Sequence, residues 1–135
     1  MDYVKIGGKS YDVLVKEISE NFNILYSENT GRTASLGAKM TLDPLGTFIG
    51  HRITFSRKRG KEREYDDLFD YISAPRYDGI RVEIVHNQTT ISYDAYISNG
   101  ERAVKRIDEK TGLVHWGEFS VNIVPMKAQV TPYGY

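Results

Sequence analysis

The sequence predicts a β-rich α+β fold, an antiparallel β-sandwich or rolled sheet with one flanking helix near residues 62–73. Three observations lead there. Apolar and polar residues alternate through much of the chain, turn residues fall where such strands must reverse, and one segment breaks the pattern with helical spacing.

Taken in order, Ile6-Gly7-Gly8-Lys9 reads as a turn between two short strands. Tyr11, Val13 and Val15 share one face of a strand, and Phe22, Ile24 and Tyr26 share one face of the next. Ile49, His51, Ile53 and Phe55 alternate with Gly50, Arg52, Thr54 and Ser56. The same period of two recurs at Ile80–Val82–Ile84, at Ile91–Tyr93–Ala95–Ile97 and at Phe119–Val121–Ile123, as half-buried strands require. His86-Asn87-Gln88 separates two of these strands. Asn99-Gly100 is the strongest short hairpin signal, because both residues tolerate positive φ. Asp108 to Gly112 reads as a longer hairpin loop closed by Gly112. Residues 79–124 are therefore expected to form an antiparallel meander.

Between Glu62 and Ser73 the apolar positions Tyr65, Leu68, Phe69 and Ile72 recur at helical spacing. Glu62, Glu64, Asp66 and Asp67 crowd the first half, where the positive end of the helix dipole favours them. Pro75 ends the helix, because the residue before a proline avoids the α region. Residues 29–46 hold three glycines and little periodicity, so they read as a long loop or arm within a single domain spanning residues 1–135.

Composition narrows the function classes. Hydrophobic residues make up 40% of the chain and Tyr occurs 10 times, which is enough apolar area to rule out a disordered chain. There is no Cys, so disulfides, thiolate metal sites and cysteine nucleophiles are excluded. Eighteen basic residues balance 18 acidic ones, so no global field draws the chain to nucleic acid or an anionic membrane. No stretch approaches a membrane span or a signal-peptide core, and a soluble protein made in a cytoplasm is expected.

Sites of chemistry are sparse. His51, His86 and His115 are far apart in sequence, with no ligand spacing for a metal. Asp66-Asp67 is explained by the helix dipole and Asp108-Glu109 by a solvated turn, and no nucleophile elbow or phosphate loop occurs. No catalytic residue, cofactor-binding residue or metal ligand is assigned, and the chain reads as non-enzymatic. Residues 57–63 carry five basic residues that could grip a phosphate backbone. A solvated connection is the favoured reading, since Glu62 and Glu64 blunt the field and no aromatic residue interleaves the charges. Trp116 reads as packing at the core's edge in preference to an interface anchor.

Several stretches carry a resemblance. The chain opens with Tyr3-Val4-Lys5-Ile6-Gly7-Gly8-Lys9, continues through Tyr26-Ser27-Glu28-Asn29-Thr30-Gly31-Arg32 with Gly37 following, and then Leu42-Asp43-Pro44-Leu45-Gly46. The helix ends in Leu68-Phe69-Asp70-Tyr71-Ile72-Ser73-Ala74-Pro75, and the last strand is Phe119 to Pro125. This order resembles small tail-module structural proteins of siphophages and prophages of Gram-positive bacteria, relatives of the tail-tube and distal-tail fold. The resemblance implies a β-sandwich flanked by one helix, assembly into a homo-oligomeric ring, and a place in the virion tail after synthesis in the host cytoplasm. Other phage tail proteins would be its partners, and the resemblance supplies no active site. Tube subunits often present an acidic lumen, whereas this chain is neutral, so the baseplate, tail tip or a tail end suits it at least as well as the tube.

In such a ring the 29–46 segment is expected to lie across a neighbouring subunit. Ordering each residue costs about 1–2 kcal/mol of backbone entropy, so the segment is expected to order where Leu36, Met40 and Leu42 can be buried against the neighbour. Arg32 is the candidate charged contact at its base. Two other classes compete: a nucleic-acid-binding module using residues 57–63, and a cell-wall hydrolase, for which no converging acids were found.

Overall fold

The computed structural model describes residues 3–28, 30–32 and 39–132. Ten strands and one helix occur in the order β1 (Val4–Ile6), β2 (Leu14–Tyr26), β3 (Gly31–Arg32), β4 (Met40–Thr41), β5 (Pro44–Ser56), α1 (Glu62–Ser73), β6 (Ile80–His86), β7 (Thr89–Tyr96), β8 (Val104–Ile107), β9 (Val114–Trp116) and β10 (Phe119–Pro125). Six strands form one sheet in the order β1-β6-β7-β10-β5-β2, while β3–β4 and β8–β9 are separate two-stranded ladders. All neighbours in the large sheet run antiparallel. The protein is thus β-rich with a single helix among the described residues, the architecture that period-two alternation and one helical stretch predict.

Alternation decides which side of each strand is dry. On β5 the buried side chains at alternate positions are Ile49, His51, Ile53 and Phe55, and on β10 Phe119, Val121 and Ile123. The register sets Phe119 opposite Phe55 and Val121 opposite Ile53, so one apolar face runs across both strands. On the other side Val82 lies opposite Tyr93 and also opposite Ile6 of β1. Strand β10 serves both halves, since its first five residues pair with β5 and its last two, Val124 and Pro125, pair with β7. Helix α1 adds Tyr65, Leu68 and Ile72 to this core, and Tyr65 meets Phe119 edge to face at 5.2 Å. The helix spans the predicted residues and stops as expected, with Ala74 before Pro75 already extended at ψ 130°.

Several local expectations are corrected. The strands expected around Tyr11–Val15 and Phe22–Tyr26 are one 13-residue strand, β2, and Tyr11 and Val13 precede it. Polar Ser19, Glu20 and Asn21 stay in the strand because β5 runs alongside and pairs them with Arg52, His51 and Gly50. Asn99-Gly100 closes no hairpin. Strand β7 has ended at Tyr96, β8 pairs with β9, and the edge of β7 is taken by β10. The expected meander is therefore interrupted, with β8–β9 standing outside the β6-β7-β10 order. The Asp108 loop does close a hairpin: Gly112 at φ +72° donates its N–H to the Asp108 carbonyl.

Candidate functional site

The two longest strands, β2 and β5, make a ribbon that outruns the rest of the sheet. Strand β10 covers β5 only from His51 to Phe55. Beyond that, Thr47 bridges to Val130, and the Gln129 side chain exchanges hydrogen bonds with both backbone groups of Ile49, at 2.9 and 2.8 Å. The part of the ribbon beyond β10 pairs Phe22 with Ile49, Asn23 with Phe48, Ile24 with Thr47 and Leu25 with Gly46. Phe22 is 72% exposed, and Ile24, Leu25, Tyr26 and Leu45 are also exposed. The edge from Asn21 to Tyr26 carries no charge and no proline, the devices that usually guard an open strand edge.

Hydrogen bonds cinch the far end of this ribbon. Ser27 N–H donates to the Asp43 carbonyl at 2.9 Å and its hydroxyl to the Asp43 carboxylate, while Asp43 N–H donates to the Thr30 hydroxyl at 2.7 Å. Past them, β3 and β4 pair Gly31 with Thr41 and Arg32 with Met40. Of the four predicted contact residues, Met40 and Leu42 are exposed, by 40% and 58%. Arg32 is placed on β3 by its backbone alone, and Leu36 lies outside the described residues. Pro44 to Gly46, expected in the loop, already belong to β5.

At the base of this extension four side chains from four strands tie it to the body. The Tyr93 hydroxyl on β7 lies 2.7 Å from His51 Nδ1, and His51 Nε2 lies 2.9 Å from a Glu20 oxygen. The same Glu20 oxygen is 2.7 Å from His86 Nδ1. A carboxylate can only accept, so both imidazoles present N–H to Glu20, and the bare His51 Nδ1 accepts from Tyr93. Burial holds the His51 imidazole below its usual value. Partial burial of Glu20 opposes its ionisation, but the hydrogen bonds from His86 and His51 outweigh that and hold its pKa low. Burial, with the Glu20 charge adding to it, pushes the Tyr93 hydroxyl far up. His51 and Tyr93 are buried and fully partnered, so this chain of bonds acts as a clamp on the base of the ribbon.

Several of the other singled-out residues have structural partners, whereas the buried His115 Nδ1 has no hydrogen-bond partner and lies 3.7 Å from a Glu62 oxygen. Asp66 receives Arg102 at 3.0 Å, and Asp108 accepts the Lys110 N–H of its own turn, which lowers its pKa. Lys58 and Lys61 both reach Asp12, at 2.6 and 3.6 Å, and Arg57 reaches Glu62 at 3.5 Å. Trp116 packs against the core, and the Arg102 guanidinium sits 4.0 Å from the centres of both its ring and the Phe69 ring. Among the described residues, no cluster of three His, Asp or Glu is arranged to hold a metal, and no helix is long and apolar enough to cross a membrane.

Sequence reasoning missed the exposure of Phe22, Ile24, Leu25 and Tyr26. The signal was present in Ile24-Leu25-Tyr26, where three successive apolar residues break the alternation and make both faces of an edge strand apolar. The meeting of Glu20 with two histidines had no such signal, since the three residues come from separate strands. No known protein family matches the chain, and no curated protein matches it significantly.

Proposed function

We propose that the chain is a non-enzymatic structural component of a bacteriophage tail, at the tail tip or baseplate, a tail end or the tube, acting in virion assembly through contacts with copies of itself and other tail proteins. One observation carries the reading: the β2–β5 ribbon extends beyond β10 with Phe22, Ile24, Leu25, Leu42 and Leu45 each exposed, on both faces of an open sheet edge. Apolar side chains gathered on an unguarded edge of this kind mark protein contacts. Burying Phe22 alone in a partner would contribute about 1–2 kcal/mol, and a ring repeats that contribution at each subunit boundary. In the same reading, β10 pairing with both β5 and β7 and the Tyr93–His51 contact between β7 and β5 support treating the sheet as a sandwich-like roll of the tail-tube kind.

The test is a double variant, Phe22→Asp with Leu42→Asp, in a phage lacking its own copy of the gene. Both side chains are exposed, so the purified variant should melt within a few degrees of the parent chain. Tails should nevertheless fail to form, or should form without the chain as read by mass spectrometry. Normal infectious tails containing the folded variant would overturn the proposal.

A further inference from the structure

Two lysines far apart in sequence occupy equivalent positions in their strands. Lys16 has no β5 partner, falling at the irregularity between Val15 and Glu17. Lys105 has no β9 partner, falling between Val104 and Arg106. A bulge re-aims its extra side chain out of the pleat, and bulges are favoured next to functional sites. Both lysines line one surface concavity of about 300 Å³, together with Arg57, Arg59, Trp116 and Glu118.

The charge there is strongly one-sided. Four cations face one lining carboxylate, and Glu118 reaches Lys16 only at 4.0 Å with both side chains half exposed. Arg57 is shared with Glu62, whereas Arg59 and Lys105 are exposed and enter none of the described ion pairs. The basic run taken alone lacks an aromatic platform, and folding supplies one by bringing Trp116 to the same wall. Arg102 stacked against the indole holds that ring in place.

We propose that this concavity binds single-stranded nucleic acid, with a base against Trp116 and the flanking phosphates on Arg59, Lys105 and Lys16. Phosphate contacts from flexible cations and a flat ring for stacking are the two components such sites combine, and neither requires a particular base. The site is independent of the apolar ribbon, so its failure would leave the assembly proposal untouched.

Trp116 is the only Trp in the chain, so its emission reports on the site without a label. The full chain is titrated with oligothymidylate while Trp116 emission is followed, and with a fluorescent oligonucleotide by anisotropy in parallel. Saturable quenching is expected, and three to four phosphate contacts should weaken binding about 20- to 50-fold between roughly 50 and 200 mM salt. Arg59→Gln with Lys105→Gln, both exposed and checked for an unchanged melting curve, should lower affinity at least about tenfold and flatten the salt dependence. Inorganic polyphosphate should bind more weakly, since it offers nothing to stack on the indole. Absence of binding in low salt, equal binding by the double variant, or equal affinity for polyphosphate would each overturn the proposal.

Discussion

Replacing Tyr93 by Phe removes one oxygen and nothing else, and the clamp makes that loss consequential. The Tyr93 hydroxyl is the donor facing His51 Nδ1 at 2.7 Å, and His51 is only 1% exposed, so no water replaces it. Swapping the imidazole tautomer brings no relief. A proton on Nδ1 would leave the Nε2 lone pair 2.9 Å from a Glu20 oxygen, a contact between two acceptors. The variant therefore keeps a buried, unpaired acceptor, which costs about 1–3 kcal/mol. For a domain of this size that lowers Tm by roughly 3–12 °C. The measurement is urea denaturation of the variant beside Tyr77→Phe, a change at a fully exposed side chain (104%) expected to stay within about 0.5 kcal/mol. If the two variants lose equal stability, the described hydrogen-bond chain does not hold the ribbon.

Three further outcomes follow from the core and the turns. Acidification should destabilise the protein: His51 is depressed from 6.5 by burial and Glu20 is depressed from 4.5, so their contribution is fully present above about pH 6.5 and falls as the pH drops through each folded value in turn. Urea midpoints between about pH 7.5 and 4 should show this, and His51→Gln should flatten the upper part of the curve; a wild-type curve with no slope there contradicts it. Leu68→Ala should cost about 2–4 kcal/mol, since the side chain is fully buried between α1 and the sheet, and a loss within error would mean the helix stripe packs loosely. Gly79→Ala and Gly112→Ala both place a side chain at positive φ, which costs about 1–2 kcal/mol. At Gly79 the new Cβ would also lie 2.5 Å from the Ala95 carbonyl oxygen, whereas Gly112 faces open space, so equal losses would refute that close approach.

What the sequence alone determined was local: the half-buried strands, the helix from Glu62 to Ser73 with its stop at Pro75, the Asp108–Gly112 turn and the burial of His51. Alternation, helical spacing, proline geometry and glycine's tolerance of positive φ act within a few residues, so a linear reading reaches them. Pairing is not of that kind. Whether Ser19, Glu20 and Asn21 interrupt a strand depended on a partner about 30 positions away offering matching backbone groups. Asn99-Gly100 suits a hairpin equally well whether or not the next strand is free to pair, and here β8 found β9 instead. The candidate sites belong to the same class. The clamp joins Glu20, His51, His86 and Tyr93 from four strands, and the basic concavity joins Lys16, Arg57, Arg59 and Lys105 from three segments. Chain folding creates those distances, and the exposure of Phe22 likewise follows from the place of β2 at the open edge of the sheet, where 12 of its 13 residues are exposed.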